Sequence, residues 1–151
     1  MDKIKQFWDE FIKDTGRSSS TVLKGYFHFE LTEKLANELL ELVLKGKKQA
    51  TASSKYAFDI EKEPLPKIGD FWIITDWEGN PHCVIETTNI SIIPFKEITY
   101  DICRREGEDD NLETWRNGHK RFYENEGNML GYKFTETMPV VFEDFKCVYK
   151  K

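Results

Sequence analysis

Lys48 and Thr51 are the residues whose types and spacing first suggest chemistry. They lie three positions apart in GKKQATASS, where a leucine-rich segment meets a run of small and hydroxyl-bearing residues. If the chain leaves a helix at Gly46 and enters a strand, both side chains can face one cavity. A lysine that loses its water has a lowered pKa, so it could take a proton from Thr51 and make that hydroxyl a nucleophile.

Such a lysine needs a carboxylate partner, and Glu86 is the candidate. It lies in the apolar run CVIETT, where a buried carboxylate without a paired cation would carry a large desolvation cost. We predict that only one of Lys47 and Lys48 lies in a cleft beside Glu86, because successive residues leaving a helix point in different directions. Two simpler interpretations stay open: the lysines offset the helix dipole, and Glu86 faces solvent from an antiparallel strand.

Two other polar features also have two interpretations each. His119 follows Trp115 on the apolar face of a predicted helix, as either a hydrogen-bonded core histidine or a pocket wall with Arg116 as an anion contact. The acidic run from Glu106 to Asp110 is more typical of a solvated turn before a helix than of a metal site. We predict no metal and no cofactor.

The elements that position these residues follow from hydrophobic spacing. An apolar stripe predicts an N-terminal helix within residues 1–16, packed on or appended to a main domain over residues 22–151. A second helix is predicted from Thr32 to Gly46, then a strand over about 50–58. A turn at 78–80 predicts a hairpin whose chain runs on in strands to Pro94.

The second half of the chain is predicted to be helical in two pieces, with strands in the last residues. The break falls at Glu106 to Asp110, and Asp110 with Glu113 fits a capping box. A regular βαβ alternation and a P-loop glycine pattern are both missing from the sequence. The fold class is therefore predicted to be α+β, as a small mixed β-barrel with about four helices.

Composition limits the classes of protein. The chain has 151 residues, 39% of them apolar and 14% aromatic, which is typical of one folded domain and excludes a disordered chain. Its net charge of −5 does not favour a long nucleic acid. The three cysteines are widely spaced without a CxxC pair, and no signal-peptide or membrane-span pattern is evident, so we expect a cytoplasmic protein with no membrane partner.

An ordered series of short motifs resembles the ASCH-domain family, which is related to the PUA-like RNA-binding barrels. The series runs through nearly the whole chain after the first helix. Its members here are Gly46, Lys48, Thr51, Pro66, Gly69, Asp70, Glu86 to Thr88, Pro94, Phe95, Glu106 to Glu108, Trp115, Arg116 and His119.

The resemblance implies a small barrel whose lysine motif faces a cleft, with a nucleoside or short RNA as ligand. It therefore selects Lys48 as the lysine that lies in the cleft close to Glu86, while Lys47 points to solvent. Some similar members are described as amidohydrolases acting on an acetylated cytidine. By that resemblance Thr51 would attack the acyl carbonyl, Lys48 would be the general base, and Glu86 would orient the lysine and protonate the amine. The predicted ligand-binding residues are Gly46, Ser53, Tyr56, Trp115, Arg116 and His119.

Two alternatives remain open at the level of sequence. One is a PUA-like module that binds or cleaves RNA. Its phosphate contacts would be Lys45, Lys47, Lys48, Lys55 and Arg116, and a base would stack on Trp72, Tyr56 or Trp115. The other is a scaffold role through the first helix. The expected assembly is a monomer or a weak homodimer.

Overall fold

The computed structural model describes residues 2–151 as an α+β fold. Its five α-helices are α1 (Lys3–Thr15), α2 (Glu33–Leu44), α3 (Lys55–Glu61), α4 (Tyr100–Cys103) and α5 (Leu112–Leu130). Its strands are β1 (Leu23–Phe27), β2 (Ala50–Ser54), β3 (Phe71–Thr75), β4 (Pro81–Pro94) and β5 (Pro139–Lys150). Short 3₁₀ turns occupy Phe95–Glu97 and Arg104–Glu106.

The strands form one sheet in the order β1-β3-β4-β5-β2. β1 runs parallel to β3, and the other neighbours are antiparallel. The mixed α+β class is therefore confirmed. The closed barrel is not confirmed, because within residues 2–151 β1 and β2 are opposite edges that do not pair with each other.

Local sequence signals account for most helix boundaries. Thr32 caps α2 by accepting a hydrogen bond from the Leu35 amide, and Gly16 ends α1 in the left-handed conformation. Two boundaries differ from prediction. The strand predicted to about residue 58 ends at Ser54, whose hydroxyl accepts from the Tyr56 amide and starts α3. The cap of α5 is Asn111, one residue after the predicted Asp110, and it binds the Thr114 amide.

Helices cover both faces of the sheet. α1 buries Phe7 and Phe11 against Phe71, Ile73 and Val84 on one face. The alternate residues of β3 and β4, Ile74, Cys83 and Ile85, pack with α2 on the other face. A third cluster, built around Trp115 and Tyr123 of α5, packs on the ends of β4 and β5. Among residues 2–151 no helix is both long and apolar enough to cross a membrane.

Candidate functional site

The end of α2 delivers Lys48 into the interior. Gly46 has a positive φ of 78°, which turns the chain so that the amides of Lys47 and Lys48 both donate to the Leu42 carbonyl oxygen, at 2.9 and 3.0 Å. Only 2% of Lys48 is exposed, whereas Lys47 is exposed. The sequence-based expectation that the two lysines point in different directions, with Lys48 inside, is therefore confirmed.

The Lys48 ammonium donates to three oxygens. It lies 2.8 Å from the carbonyl oxygen of Ala50, 3.1 Å from Oε2 of Glu106 and 2.5 Å from Oε2 of Glu108. An ammonium has three donors, so its hydrogen-bonding capacity is filled. Glu106 and Glu108, which follow α4, thus hold Lys48, which follows α2.

The predicted pairing of Lys48 with Glu86 is wrong. The register of β4 and β5 sets Glu86 opposite Lys146, and the nearest approach of the Glu86 carboxylate to a cation is 3.8 Å, to the Lys146 ammonium. A quarter of the Glu86 side chain is exposed, so water and Lys146 satisfy its charge there. Its apolar neighbours Val84 and Ile85 are buried because β4 is central in the sheet.

A second layer holds Glu106. The indole nitrogen of Trp115 donates to its Oε1 at 2.8 Å, and Nε2 of His119 lies 3.2 Å from the same oxygen. Nδ1 of His119 lies 2.9 Å from the Trp115 carbonyl oxygen. Both ring nitrogens face acceptors only, so both must carry protons to hydrogen-bond, which makes His119 an imidazolium.

The pKa values of the cluster follow from burial and these contacts. Burial would raise the pKa of Glu106, but Lys48 and His119 reverse that effect and hold it well below its usual range. Burial raises the pKa of Glu108 to about 7, with Glu106 adding to the rise against the pull of Lys48. Burial would lower the pKa values of Lys48 and His119, but the two carboxylates raise both above their ordinary values.

The turn Glu106–Gly107–Glu108 fits closely against the segment that carries Lys48. Gly107 has a φ of 70°, and a Cβ at this position would lie 2.2 Å from the Lys47 carbonyl oxygen. The Gln49 amide donates to the Arg105 carbonyl oxygen at 2.8 Å. Glycine is therefore required here both for conformation and for space.

The cluster opens into a cavity of about 190 Å³ that residues of β1 and β2 also line. Lys48, Thr51, Glu106, Glu108 and His119 line it. Further lining residues are Phe27, His28, Phe29, Glu30, Leu39, Ala52, Ser53, Ser54, Ala57, Phe122 and Glu126. Glu106 and Glu108 were not predicted as partners of Lys48, although the turn that carries them, Glu106–Gly107–Glu108, is one of the sequence motifs.

The predicted ligand-binding residues divide into two groups. Ser53 and His119 line the cavity, but Gly46, Tyr56, Trp115 and Arg116 do not. Trp115 is fully buried and stacks on His119, with ring centroids 4.1 Å apart. The Arg116 guanidinium instead donates to the carbonyl oxygens of Lys96 and Ile98.

One set of groups has donor atoms spaced as in a metal site. Ligand atoms of Glu106, Glu108 and His119 lie within 4.8 Å of one another. The Lys48 ammonium already bonds to both carboxylates, and His119 already contacts Glu106. These cations neutralise the carboxylates, so the cluster is arranged as an ion-pair network.

A sequence profile of the ASCH domain matches residues 25–149. The chain belongs to the ASCH-domain family. No curated protein shows significant similarity to it. The fold matches the crystal structure of an ASCH domain from Lactobacillus crispatus with a TM-score of 0.89 and 31% sequence identity. The match covers 99% of this chain and 96% of that one.

A second solved structure agrees with this assignment. A protein from Enterococcus faecalis is 28% identical, also with a TM-score of 0.89, over 97% of this chain and 88% of that one. Both matches include α1, which lies outside the residues that the family profile covers. The buried lysine of this ASCH domain is the lysine of the Gly46–Lys48–Thr51 motif.

Proposed function

We propose that this ASCH domain binds a nucleoside, free or at the end of a short RNA, and hydrolyses an amide on its base. The proposal rests on one observation: Glu108 and Thr51 line the same small cavity, and the pKa of the Glu108 carboxyl group is raised to about 7 by burial. A carboxyl that titrates near neutral pH can both accept and donate a proton under physiological conditions.

The roles in the reaction follow from protonation states. The raised pKa of Lys48 keeps it an ammonium at neutral pH, so Lys48 is better suited to holding Glu108 than to acting as the base. Glu106 already accepts from Lys48 and Trp115, with His119 at 3.2 Å, so it is least free to take part. Glu108 is the remaining carboxylate, and 17% of its side chain is exposed.

The proposed step is an acyl transfer to Thr51. The Thr51 oxygen bonds to the acyl carbon as its proton passes to the Glu108 carboxylate, and the C–N bond breaks as Glu108 returns that proton to the departing amine. Water then attacks the ester carbon as its proton passes to Glu108. The bond from that carbon to the Thr51 oxygen breaks as Glu108 returns the proton to Thr51, which releases the carboxylic acid. Within residues 2–151 no hydrogen bond occupies the Thr51 side chain, and this half-buried hydroxyl is therefore available to a ligand.

The test is deacylation of N4-acetylcytidine and related acyl cytidines, followed by chromatography of released cytidine. We expect Thr51→Val and Glu108→Gln each to lower kcat/KM by about 10²–10⁴-fold. Thr88→Val, a matched change at an exposed position of β4, should leave it unchanged. A wild-type protein that is inert toward every acyl group, or equal rates for all four proteins, would refute the proposal.

A further inference from the structure

Two cysteines lie side by side on the central strands, away from the Lys48 cluster. Cys83 of β4 is buried, whereas Cys147 of β5 is exposed. The register sets Cys147 opposite Ile85 and Cys83 opposite Lys150, with a bulge between these pairs. In its thiol form Cys147 can donate to the Tyr149 carbonyl oxygen at 3.5 Å, and the Cys83 thiol is the neighbouring group with the largest effect on the pKa of Cys147.

The exposed sulfur lines a cavity of about 600 Å³ between the end of α2 and β5. The charged side chains that contribute to it are all lysines. Lys45 and Lys48 come from the segment after α2, and Lys146 and Lys150 come from β5. Lys48 points into its own carboxylate cluster, so Lys45, Lys146 and Lys150 supply the positive charge of this cavity. The Glu86 carboxylate, 3.8 Å from the Lys146 ammonium, offsets part of that charge. Besides these lysines and Glu86, the titratable groups beside Cys147 among residues 2–151 are Cys83 and Tyr149.

We propose that Cys147 is a thiol–disulfide exchange site for small anionic disulfides that enter this lysine-lined cavity. The Cys147 thiolate attacks one sulfur of the disulfide, the S–S bond of the reagent breaks, and one half leaves as a thiolate. A mixed disulfide remains on Cys147. No external oxidant is required, because the reagent disulfide is itself reduced by the exchange.

Burial and hydrogen bonding distinguish the two thiols. Hydrogen bonding to Cys147, together with burial, raises the pKa of Cys83 far above its ordinary value. The hydrogen bond from Cys83 lowers the pKa of Cys147 to about 6, against the effect of its partial burial, and Lys150 adds to the fall. The negative charge therefore resides on the exposed sulfur, where a reagent can reach it. The third cysteine, Cys103, is buried, and burial raises its pKa to about 11.

The experiment compares dithiodipropionate, an anionic disulfide, with the neutral bis(2-hydroxyethyl) disulfide. Adducts are measured by intact mass spectrometry and peptide mapping, and each rate is divided by the rate of the same reagent with free cysteine. We expect the adduct at Cys147, with the anionic reagent favoured by at least about 10-fold at low salt. Its rate should rise with a pH midpoint near 6, the pKa of Cys147.

Variants separate charge from simple exposure. Cys147→Ser should abolish the adduct, and Lys45→Gln with Lys146→Gln should remove most of the preference for the anion. Lys120→Gln, an exposed lysine on α5, should leave the preference unchanged. Equal normalised rates for the two reagents, a pH midpoint near 8.5, or equal labelling of Cys103 would each overturn the proposal.

Discussion

The Lys48 cluster contains two buried cations and two carboxylates, and one of those carboxylates titrates near neutral pH. Lys48 and His119 fix the charge of Glu106, whose pKa is low. Glu108 shares the same ammonium, and burial together with the charge of Glu106 makes its ionised form the least favourable in the network. The carboxylate pair therefore takes up a proton near pH 7, and Glu108 is the member whose ionised form is less favourable.

Glu108→Gln should change how stability depends on pH. The pKa of Glu108 is about 7 in the folded chain, against 4.5 for an ordinary glutamate, so the folded state binds the proton more tightly. The wild-type protein should therefore lose stability as the pH rises from about 4.5 through 7, by up to about 3 kcal/mol from this group.

Urea unfolding at pH 5 and at pH 8 measures this effect. The difference in unfolding free energy between the two pH values should be smaller in Glu108→Gln than in the wild type. Glu124→Gln, an exposed change on α5, should behave like the wild type. An unchanged difference in Glu108→Gln would mean that Glu108 does not titrate in this range.

Lys48→Met should destabilise the fold strongly. The sequence alone suggests a mild effect, since it predicts a partly exposed pair with Glu86. With 2% of Lys48 exposed and two carboxylates bonded to it, the substitution leaves buried negative charge without a partner, which costs about 3–5 kcal/mol. The unfolding midpoint in urea at pH 8 measures the loss.

A double variant gives the control for Lys48→Met. Adding Glu108→Gln removes one of the two stranded charges, so the double variant should be less destabilised than the sum of the single changes. Additive effects would show that Lys48 and Glu108 do not interact.

The residues of the site differ in how far sequence could identify them. Lys48 was identifiable because the turn at Gly46, just after α2, separates the directions of Lys47 and Lys48, and the family motif then selects Lys48. Its partners were not, because they lie 58 and 60 residues further along the chain, and tertiary packing alone brings them to it. Glu86 was predicted as the partner because it lies in an apolar run of sequence. The register of β4 and β5 instead pairs it with Lys146, and that register could not be determined from sequence.

At the scale of elements, the site depends on the contact between the α2–β2 connection and the turn before α5. Gly107→Ala should separate them, because the new Cβ would meet the Lys47 carbonyl group and a φ of 70° is unfavourable for alanine. We expect the unfolding free energy to fall by about 1–3 kcal/mol from backbone strain alone, with a further loss from the contact with Lys47, as measured by thermal unfolding.

A second glycine provides the control for this contact. Gly118 lies within α5, and a Cβ there would meet nothing within 4 Å. Gly118→Ala should therefore stabilise the protein by about 0.5–1 kcal/mol through helix propensity. If both alanine variants had the same effect, close packing of the turn at Gly107 would be excluded.

The start of α2 and the end of α1 were predictable because each rests on residues close in sequence, whereas the caps of α3 and α5, Ser54 and Asn111, were not predicted. Thr32 and Gly16 mark their helix ends in the sequence and in the structure. The open sheet was not predictable in the same way, because the pairing of β1 with β3 and of β2 with β5 joins distant segments.

At the scale of the whole molecule, one sheet separates two regions. α1 covers one face through Phe7 and Phe11, while α2 packs on the other face and leads into Lys48. The apolar stripe of α1 is therefore covered by its own domain, which leaves little of it for the scaffold role considered from sequence. The strand residues Ile73 and Ile74 alternate between the two regions.

Phe11→Ala tests whether α1 is an integral part of the domain. Phe11 is fully buried and its ring lies 5.8 Å from that of Phe71 and 5.4 Å from that of Tyr149. Truncation should lower the unfolding free energy by about 3–5 kcal/mol in urea, whereas Val22→Ala, at a residue 73% exposed, should change it little.

Because the sheet lies between Phe11 and the Lys48 cluster, the losses of unfolding free energy in Phe11→Ala and Glu108→Gln should add within about 0.5 kcal/mol. A loss below about 1 kcal/mol for Phe11→Ala would instead indicate that α1 detaches easily from the sheet. In that case α1, which both matched structures include in their alignment, would contribute little to the stability of the domain.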